Sequence, residues 1–282
     1  MQIRLLDTRD HNRESAGLTY VYPVISRRAG GVSIGINLNP NNACNWRCIY
    51  CQVPNLTRGS APPIDLGLLG RELRGFLREA LTDDFMHRRV PEDARRVVDI
   101  AISGNGEPTS AREFAQVIEL VATVREEFSL GPQVRTRLIT NGSLLGRRSV
   151  QQGIERLAAC EGEVWFKVDA GTRAGFARIN GVVLAPQQVA TNLRRCARLC
   201  PTWVQTCIFA FDGKTPDGAE IEAYIDVLRT AGTDLLAGAL LYGMARPSLQ
   251  PEAPRLAPAP EAAMAELAAR IRGLGLTVRV SP

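Results

Sequence analysis

The 282 residues carry 45% hydrophobic and 22% charged side chains, which excludes a disordered or fibrous chain and allows a large core. No stretch approaches the roughly eighteen uninterrupted apolar residues of a membrane span, and residues 1–15 lack the apolar run of an export signal, so the cytoplasm is the expected compartment. The net charge of +5 comes from basic residues scattered along the chain, of which only Lys167 and Lys214 are lysines; it permits an anionic partner and demands none.

In chain order, residues 1–31 read as an extended N-terminal segment, with a hairpin packed against the barrel as one form it can take. Residues 32–39 then alternate, with Val32, Ile34, Ile36 and Leu38 on one face and Ser33, Gly35, Asn37 and Asn39 on the other, the pattern of a strand. Further strands are predicted at 97–103, 134–140, 164–169, 203–209 and 236–241. Helical stripes separate them. Leu69, Leu73, Phe76 and Ala80 form the first, and Phe114, Val117, Ile118, Val121 and Val124 the second. Ser110 and Glu113 stand before the second stripe at capping-box spacing. Others run through Ile154 and Leu157, through Val189, Leu193, Cys196 and Cys200, and through Ile221, Tyr224, Ile225 and Leu228. Residues 247–260 hold five prolines and read as a loop, followed by a helix on Met264, Leu267, Ala268 and Ile271 and a short strand at 276–280.

Six strands alternating with helices predict an α/β fold with a parallel sheet, a partial (β/α)6 barrel over residues 32–246 with short terminal extensions, the last being a loop, helix and strand at 247–282. Chemistry in such folds sits at the C-terminal ends of the strands. Two turns stand there. Cys44-Asn-Trp-Arg-Cys48-Ile-Tyr-Cys51 follows the first strand, and Gly104-Asn105-Gly106-Glu107-Pro108-Thr109 follows the second. Three thiols within eight residues read as metal ligation, either an iron–sulfur cube with one iron left without a protein ligand or a zinc loop completed by a distant cysteine. A glycine-flanked carboxylate at a strand end suits an ammonium group.

On these two motifs, with Tyr50 in the aromatic place of C-x3-C-x-aromatic-C, the chain resembles the radical S-adenosylmethionine superfamily. The resemblance implies a [4Fe-4S] cluster on Cys44, Cys48 and Cys51, with S-adenosylmethionine on the open iron. Reductive cleavage of the sulfonium would give a 5′-deoxyadenosyl radical that abstracts hydrogen from a substrate. It places Tyr50 near the adenine and Gly106 and Glu107 at the methionine amino group, although Asn105 stands where the family usually has glycine. It also implies an electron donor such as flavodoxin or ferredoxin, and the general class of an oxidoreductase.

Trp165, Lys167 and Asp169 share the face of the fourth strand opposite Val164, Phe166 and Val168, so the charged pair should point into the barrel. Buried charge is retained when paired or functional. Lys167 and Asp169 are therefore candidates for cofactor or substrate contact, a mutual structural ion pair being the alternative. Asn141 in Thr140-Asn141-Gly142 resembles a frequent family turn, and an ordinary left-handed turn residue is its other reading. Cys196, Cys200 and Cys207 are spaced for an auxiliary cluster, yet the first two continue an apolar helical stripe. Gln205 and Arg246 have two equal readings, lining the barrel mouth to meet a polar or anionic substrate or serving as scaffold. The stretches Val204-Gln205-Thr206 and 242–247 also resemble bacterial iron–sulfur proteins near the tRNA wyosine-forming enzymes. A small molecule, a peptide and RNA are thus all expected substrate classes, with a tRNA-modifying enzyme or a non-catalytic iron–sulfur electron carrier as alternative functions.

Overall fold

The computed structural model describes residues 6–7, 16–26 and 30–281. Of the expected N-terminal segment, the stretches 1–5, 8–15 and 27–29 lie outside the described residues. The strands are β1 (Val21–Ser26), β2 (Gly31–Asn37), β3 (Ala43–Cys44), β4 (Thr57–Arg58), β5 (Val97–Ser103), β6 (Arg135–Thr140), β7 (Gly162–Lys167), β8 (Thr202–Phe211), β9 (Gly238–Gly243), β10 (Leu256–Pro258) and β11 (Val278–Ser281). The helices are α1 (Leu66–Ala80), α2 (Asp83–Arg89), α3 (Phe114–Glu127), α4 (Arg148–Ala159), α5 (Arg173–Asn180), α6 (Pro186–Leu199), α7 (Gly218–Ala231) and α8 (Glu261–Arg272).

One curled sheet carries the fold in the order β1-β2-β5-β6-β7-β8-β9-β11, with β10 added beside β8. The six strands from β2 to β9 are mutually parallel, as is β11 on β9, while β1 closes the other edge antiparallel to β2. This is the partial α/β barrel that the alternating strands and helices predicted. Its outer face is apolar. Ile34, Ile36, Ile100, Ile102, Leu138, Val164, Phe166 and Val204 are essentially inaccessible and pack in one core with the helix stripes. Burying each such side chain contributes about 1.5–3 kcal/mol. The inner face is polar, with Ser33, Asp99, Arg137, Trp165, Lys167 and Gln205 at alternate positions.

Three departures have physical causes. The capping box at Ser110 and Glu113 does not form, because both side chains serve the chain entering α1: Ser110 Oγ accepts from Ala61 N at 2.9 Å, and Glu113 Oε2 accepts from Ile64 N at 3.3 Å. A 3-10 turn at Pro108–Ser110 leads into α3 instead, whose Glu113 cap makes no side-chain cap bond. The proline-rich stretch is not all loop. β8 runs ten residues, past the barrel rim, and offers an edge on which β10 pairs antiparallel. Two short helices, α2 and α5, lack the long stripe that announces a helix. α5 is set by its ends: Thr172 Oγ1 accepts from Gly175 N, and Gly181 leaves the helix at φ 63°.

Candidate active site

A cavity of about 300 Å3 fills the barrel interior at the C-terminal ends of the strands, lined by Cys44, Cys48, Cys51, Tyr50, Gly106, Glu107, Asn141 and Lys167 among others. The structure therefore brings to one cavity residues from the turns after β2, β5 and β6 and from the end of β7 itself. Asp169 reaches the same group through hydrogen bonds at the cavity wall.

The cysteine turn is held from several sides. Asn37 Oδ1, at the end of β2, accepts from Asn39 N at 3.1 Å and from Asn105 N at 3.0 Å, joining the two motif turns. Asn39 Nδ2 donates to Ala43 O at 2.9 Å. Gly106 packs so closely on the cysteine turn that a methyl group there would lie 2.1 Å from the Ala43 carbonyl oxygen. Gly104 adopts φ 136°, a conformation that side chains disfavour. From the other side, the segment after β9 crosses the turn. Ser248 Oγ donates to Ile49 O at 2.7 Å, Leu249 N to Cys51 O at 2.9 Å, and Gln250 Nε2 to Val53 O at 3.0 Å. Arg47 and Glu252 add a two-point ion pair.

The three sulfurs sit in unlike surroundings. Cys44 Sγ accepts from Trp46 N at 3.4 Å and Cys48 Sγ from Asn180 Nδ2 at 3.2 Å. Burial pushes the Cys44 thiol up to about 11, and raises that of Cys48 further against the pull of the Lys167 ammonium. In the ligand-free protein these two are neutral thiols at neutral pH, so metal loading must displace their protons. None of the seven cysteines is joined in a disulfide. Among the described residues no three His, Cys, Asp or Glu side chains converge on a single point. A cube of irons takes its thiolates at separate corners.

Glu107 is buried at 2% exposure and accepts four hydrogen bonds. Thr109 N, Thr109 Oγ1 and Thr140 Oγ1 converge on Oε1 at 3.1, 2.6 and 2.6 Å, and Asn141 N donates to Oε2 at 2.7 Å. The carboxylate thus ties the turn after β5 to that after β6. Burial raises its pKa and these donors oppose the rise. Oε2, with one protein donor, keeps acceptor capacity at the cavity wall. Asn141 carries the tie onward, its Nδ2 donating to Asn45 Oδ1 at 2.9 Å beside Cys44.

Lys167 and Asp169 form the ion pair foreseen as one of two readings, at 3.6 Å. They also meet other groups. Asp169 accepts from the Tyr50 hydroxyl, from Asn180 Nδ2 at 2.8 Å and from Cys207 N at 3.2 Å. Lys167 Nζ lies 4.9 Å from the Tyr50 ring centroid and donates to the Tyr242 hydroxyl at 3.2 Å. Burial lowers the Lys167 pKa, and Asp169, with smaller contributions from Tyr242, Cys48 and Cys207, raises it by more, so the ammonium stays charged. Burial and the Asp169 charge hold Tyr50 as a neutral phenol.

Below them Arg137 bridges Asp99 and Glu163, with Ser33 donating to Asp99 and Trp165 Nε1 to Glu163 at 2.9 Å. This polar floor, and Asn180 near Cys48, escaped the sequence reading. The lone Asp99 inside an apolar strand was the available signal for the floor. Gln205 faces the cavity at 2% exposure, and Arg246 lines its rim. Cys196 and Cys200 are buried in the core behind the sheet, whereas Cys207 lines the cavity, so the three do not converge.

Comparison with known proteins gives this arrangement its family. The family description of the Radical SAM superfamily matches residues 38–228, over half of the chain and including both motif turns. The chain belongs to the radical SAM superfamily. It is an enzyme of that family, whose cofactors are a [4Fe-4S] cluster and S-adenosylmethionine. A radical SAM methyltransferase from Sphaerobacter thermophilus superposes with a TM-score of 0.57 at 17% identity, covering 92% of this chain and 68% of that one, which shows a shared fold. Archaeal TYW1 aligns over 79% of this chain and 67% of its own at 15% identity, with a TM-score of 0.44. A curated protein, GTPase Obg of Brachyspira hyodysenteriae, is 27% identical over 136 residues, 47% of this chain. The chain spans 17% of that protein's length. Gly213-Lys214-Thr215 is no nucleotide loop here: Ile208 stands at the first P-loop glycine, and Lys214 bridges back to Phe211 in a turn.

The radical SAM cofactors fit the residues present. Three unpaired cysteines on one fixed turn supply soft donors, and a buried carboxylate with spare acceptor capacity stands at the same cavity. Among the described residues no helix is long and apolar enough to cross a membrane.

Proposed function

We propose that the chain binds its cluster through Cys44, Cys48 and Cys51 and S-adenosylmethionine in the adjoining cavity, and abstracts hydrogen from a substrate held on the polar barrel interior. The observation that carries this reading is one cavity shared by the three cysteines, the Glu107 carboxylate and the inward-facing Lys167. When bound, these cofactors supply one-electron cleavage of the sulfonium and a 5′-deoxyadenosyl radical. The protein supplies position and exclusion of water.

Each residue has a task in that scheme. Glu107 Oε2 accepts from the methionine ammonium, an assignment supported by its single protein donor. Gly106 lets the Gly-Glu turn pack directly on the cysteine turn, which keeps Glu107 and the three cysteines at one cavity. Asn141 fixes Glu107 from behind through its backbone N–H and holds Asn45 beside Cys44. Tyr50, its hydroxyl tethered to Asp169, offers a ring edge to the adenine. Lys167 remains a cation facing the cavity and meets a carboxylate or hydroxyl of cofactor or substrate, while Asp169 holds it in place. A small polar molecule suits the cavity best, because the floor on which Arg137 bridges Asp99 and Glu163 offers charged groups to the substrate. Flavodoxin or ferredoxin is the proposed reductant.

The test is anaerobic. The chain is reconstituted with iron and sulfide, reduced with dithionite, given S-adenosylmethionine and assayed for 5′-deoxyadenosine. Wild type should form it and Cys48→Ala should not. An assembled cluster with no cleavage in wild type overturns the reading.

A further inference from the structure

Asn180, the last residue of α5, is fully buried although it is polar. Its amide spends both hydrogens on acceptors from different elements, Cys48 Sγ at 3.2 Å and Asp169 Oδ2 at 2.8 Å. Its Oδ1 has no hydrogen-bond partner. Turning the amide over would set its oxygen against a sulfur and a carboxylate, so the orientation is fixed by chemistry. An unmet buried acceptor is costly, and an apolar residue at this helix end would avoid that cost. The two donated bonds are what the asparagine provides.

The backbone confirms a purpose-built approach to the cysteine turn. Arg47 N donates to Asn180 O at 3.0 Å and Ile49 N to Ile179 O at 2.9 Å, one bond on each side of Cys48. The end of α5 is therefore locked to the residues flanking Cys48, and the amide cannot drift from the sulfur. Gly181 makes the approach possible. It turns away at φ 63°, where a side chain would crowd the Arg47 carbonyl at 3.0 Å.

We propose that Asn180 is a positioning residue that tunes the iron–sulfur cluster by hydrogen bonding to the Cys48 sulfur, and so raises its reduction potential. This rests on the reading that Cys48 is a cluster ligand. One-electron reduction adds negative charge that spreads onto the sulfurs, and an N–H aimed at a ligand sulfur stabilises the reduced form more than the oxidised one. The second bond, to Asp169, couples the same amide to the Lys167 ion pair and keeps its plane fixed.

The experiment compares wild type with Asn180→Leu, which keeps the branched four-atom skeleton and removes the donor, and Asn180→Ala, which removes both. Each is reconstituted anaerobically, its iron and sulfide counted, and its midpoint potential measured by redox titration followed by electron paramagnetic resonance. Both variants should hold wild-type iron and sulfide and show a more negative midpoint. If Leu fails to assemble a cluster, Ala gives the reading alone. Full assembly with an unchanged or higher midpoint overturns the proposal, as does loss of the cluster in both variants, which would make Asn180 a folding residue. Cys48→Ala is measured in parallel: if it assembles the wild-type cluster, the ligand assignment fails instead.

Discussion

Replacing Glu107 by glutamine keeps the shape and removes the charge that joins two turns. Oε1 takes three donors and Oε2 one, so the glutamine oxygen should stay with the three. Its NH2 then faces the Asn141 N–H, donor against donor, and that buried N–H is stranded. The stranded buried N–H costs about 1–3 kcal/mol, and the loss of charge on the remaining acceptor about 1 kcal/mol more, so the expected loss is about 2–4 kcal/mol. In a domain of this size that corresponds to a Tm lower by roughly 5–10 °C. Denaturant unfolding of the cluster-free protein, followed by tryptophan fluorescence, measures it. Glu107→Gln within about 0.5 kcal/mol of wild type, the range of an ordinary surface change, would refute the reasoning.

Other expectations rest on separate parts of the structure. Arg137→Met leaves the buried Asp99 carboxylate without its cation and should cost about 3–5 kcal/mol, while the Arg137→Met/Asp99→Leu double variant should recover part of that loss in the same unfolding assay. Cys196 is fully buried and remains a neutral thiol up to about 12, against 9.0 for an ordinary cysteine. Between those values the unfolded chain has lost the proton that the folded chain keeps, so stability falls as pH rises through that window. Cys196→Ala should flatten the fall, and an unchanged pH slope would count against it. Gln250→Leu removes the donor to Val53 O, and hydrogen exchange should then quicken in the cysteine turn but not in α3.

The parts of the molecule visible in the sequence are those fixed by short-range pattern. β2 could be read because Val32, Ile34 and Ile36 alternate with Ser33, Gly35 and Asn37, the alternation that the barrel's apolar outside and polar inside require. The inward placement of Lys167 followed from the same period of two. The cysteine turn and the Gly-Glu turn were legible because metal and ammonium chemistry confine residue type and spacing. Contacts set by tertiary geometry were not. Arg137 and Asp99 meet across neighbouring strands, 38 positions apart in the chain. Ser110 and Glu113 have the spacing of a cap, yet they are drawn to the chain before α1, a competition that local pattern does not register. Asn180 gains its meaning only because α5 ends against Cys48, 132 positions earlier.

The assignment of cluster and cofactor to one cavity is tested most directly by the electron paramagnetic resonance spectrum of the reduced, reconstituted chain with and without S-adenosylmethionine, beside a metal count. Roughly four irons per chain and a reduced-cluster signal that changes on adding S-adenosylmethionine are the predicted result. A chain that takes up zinc in place of iron, or a cluster whose signal ignores S-adenosylmethionine, would contradict it.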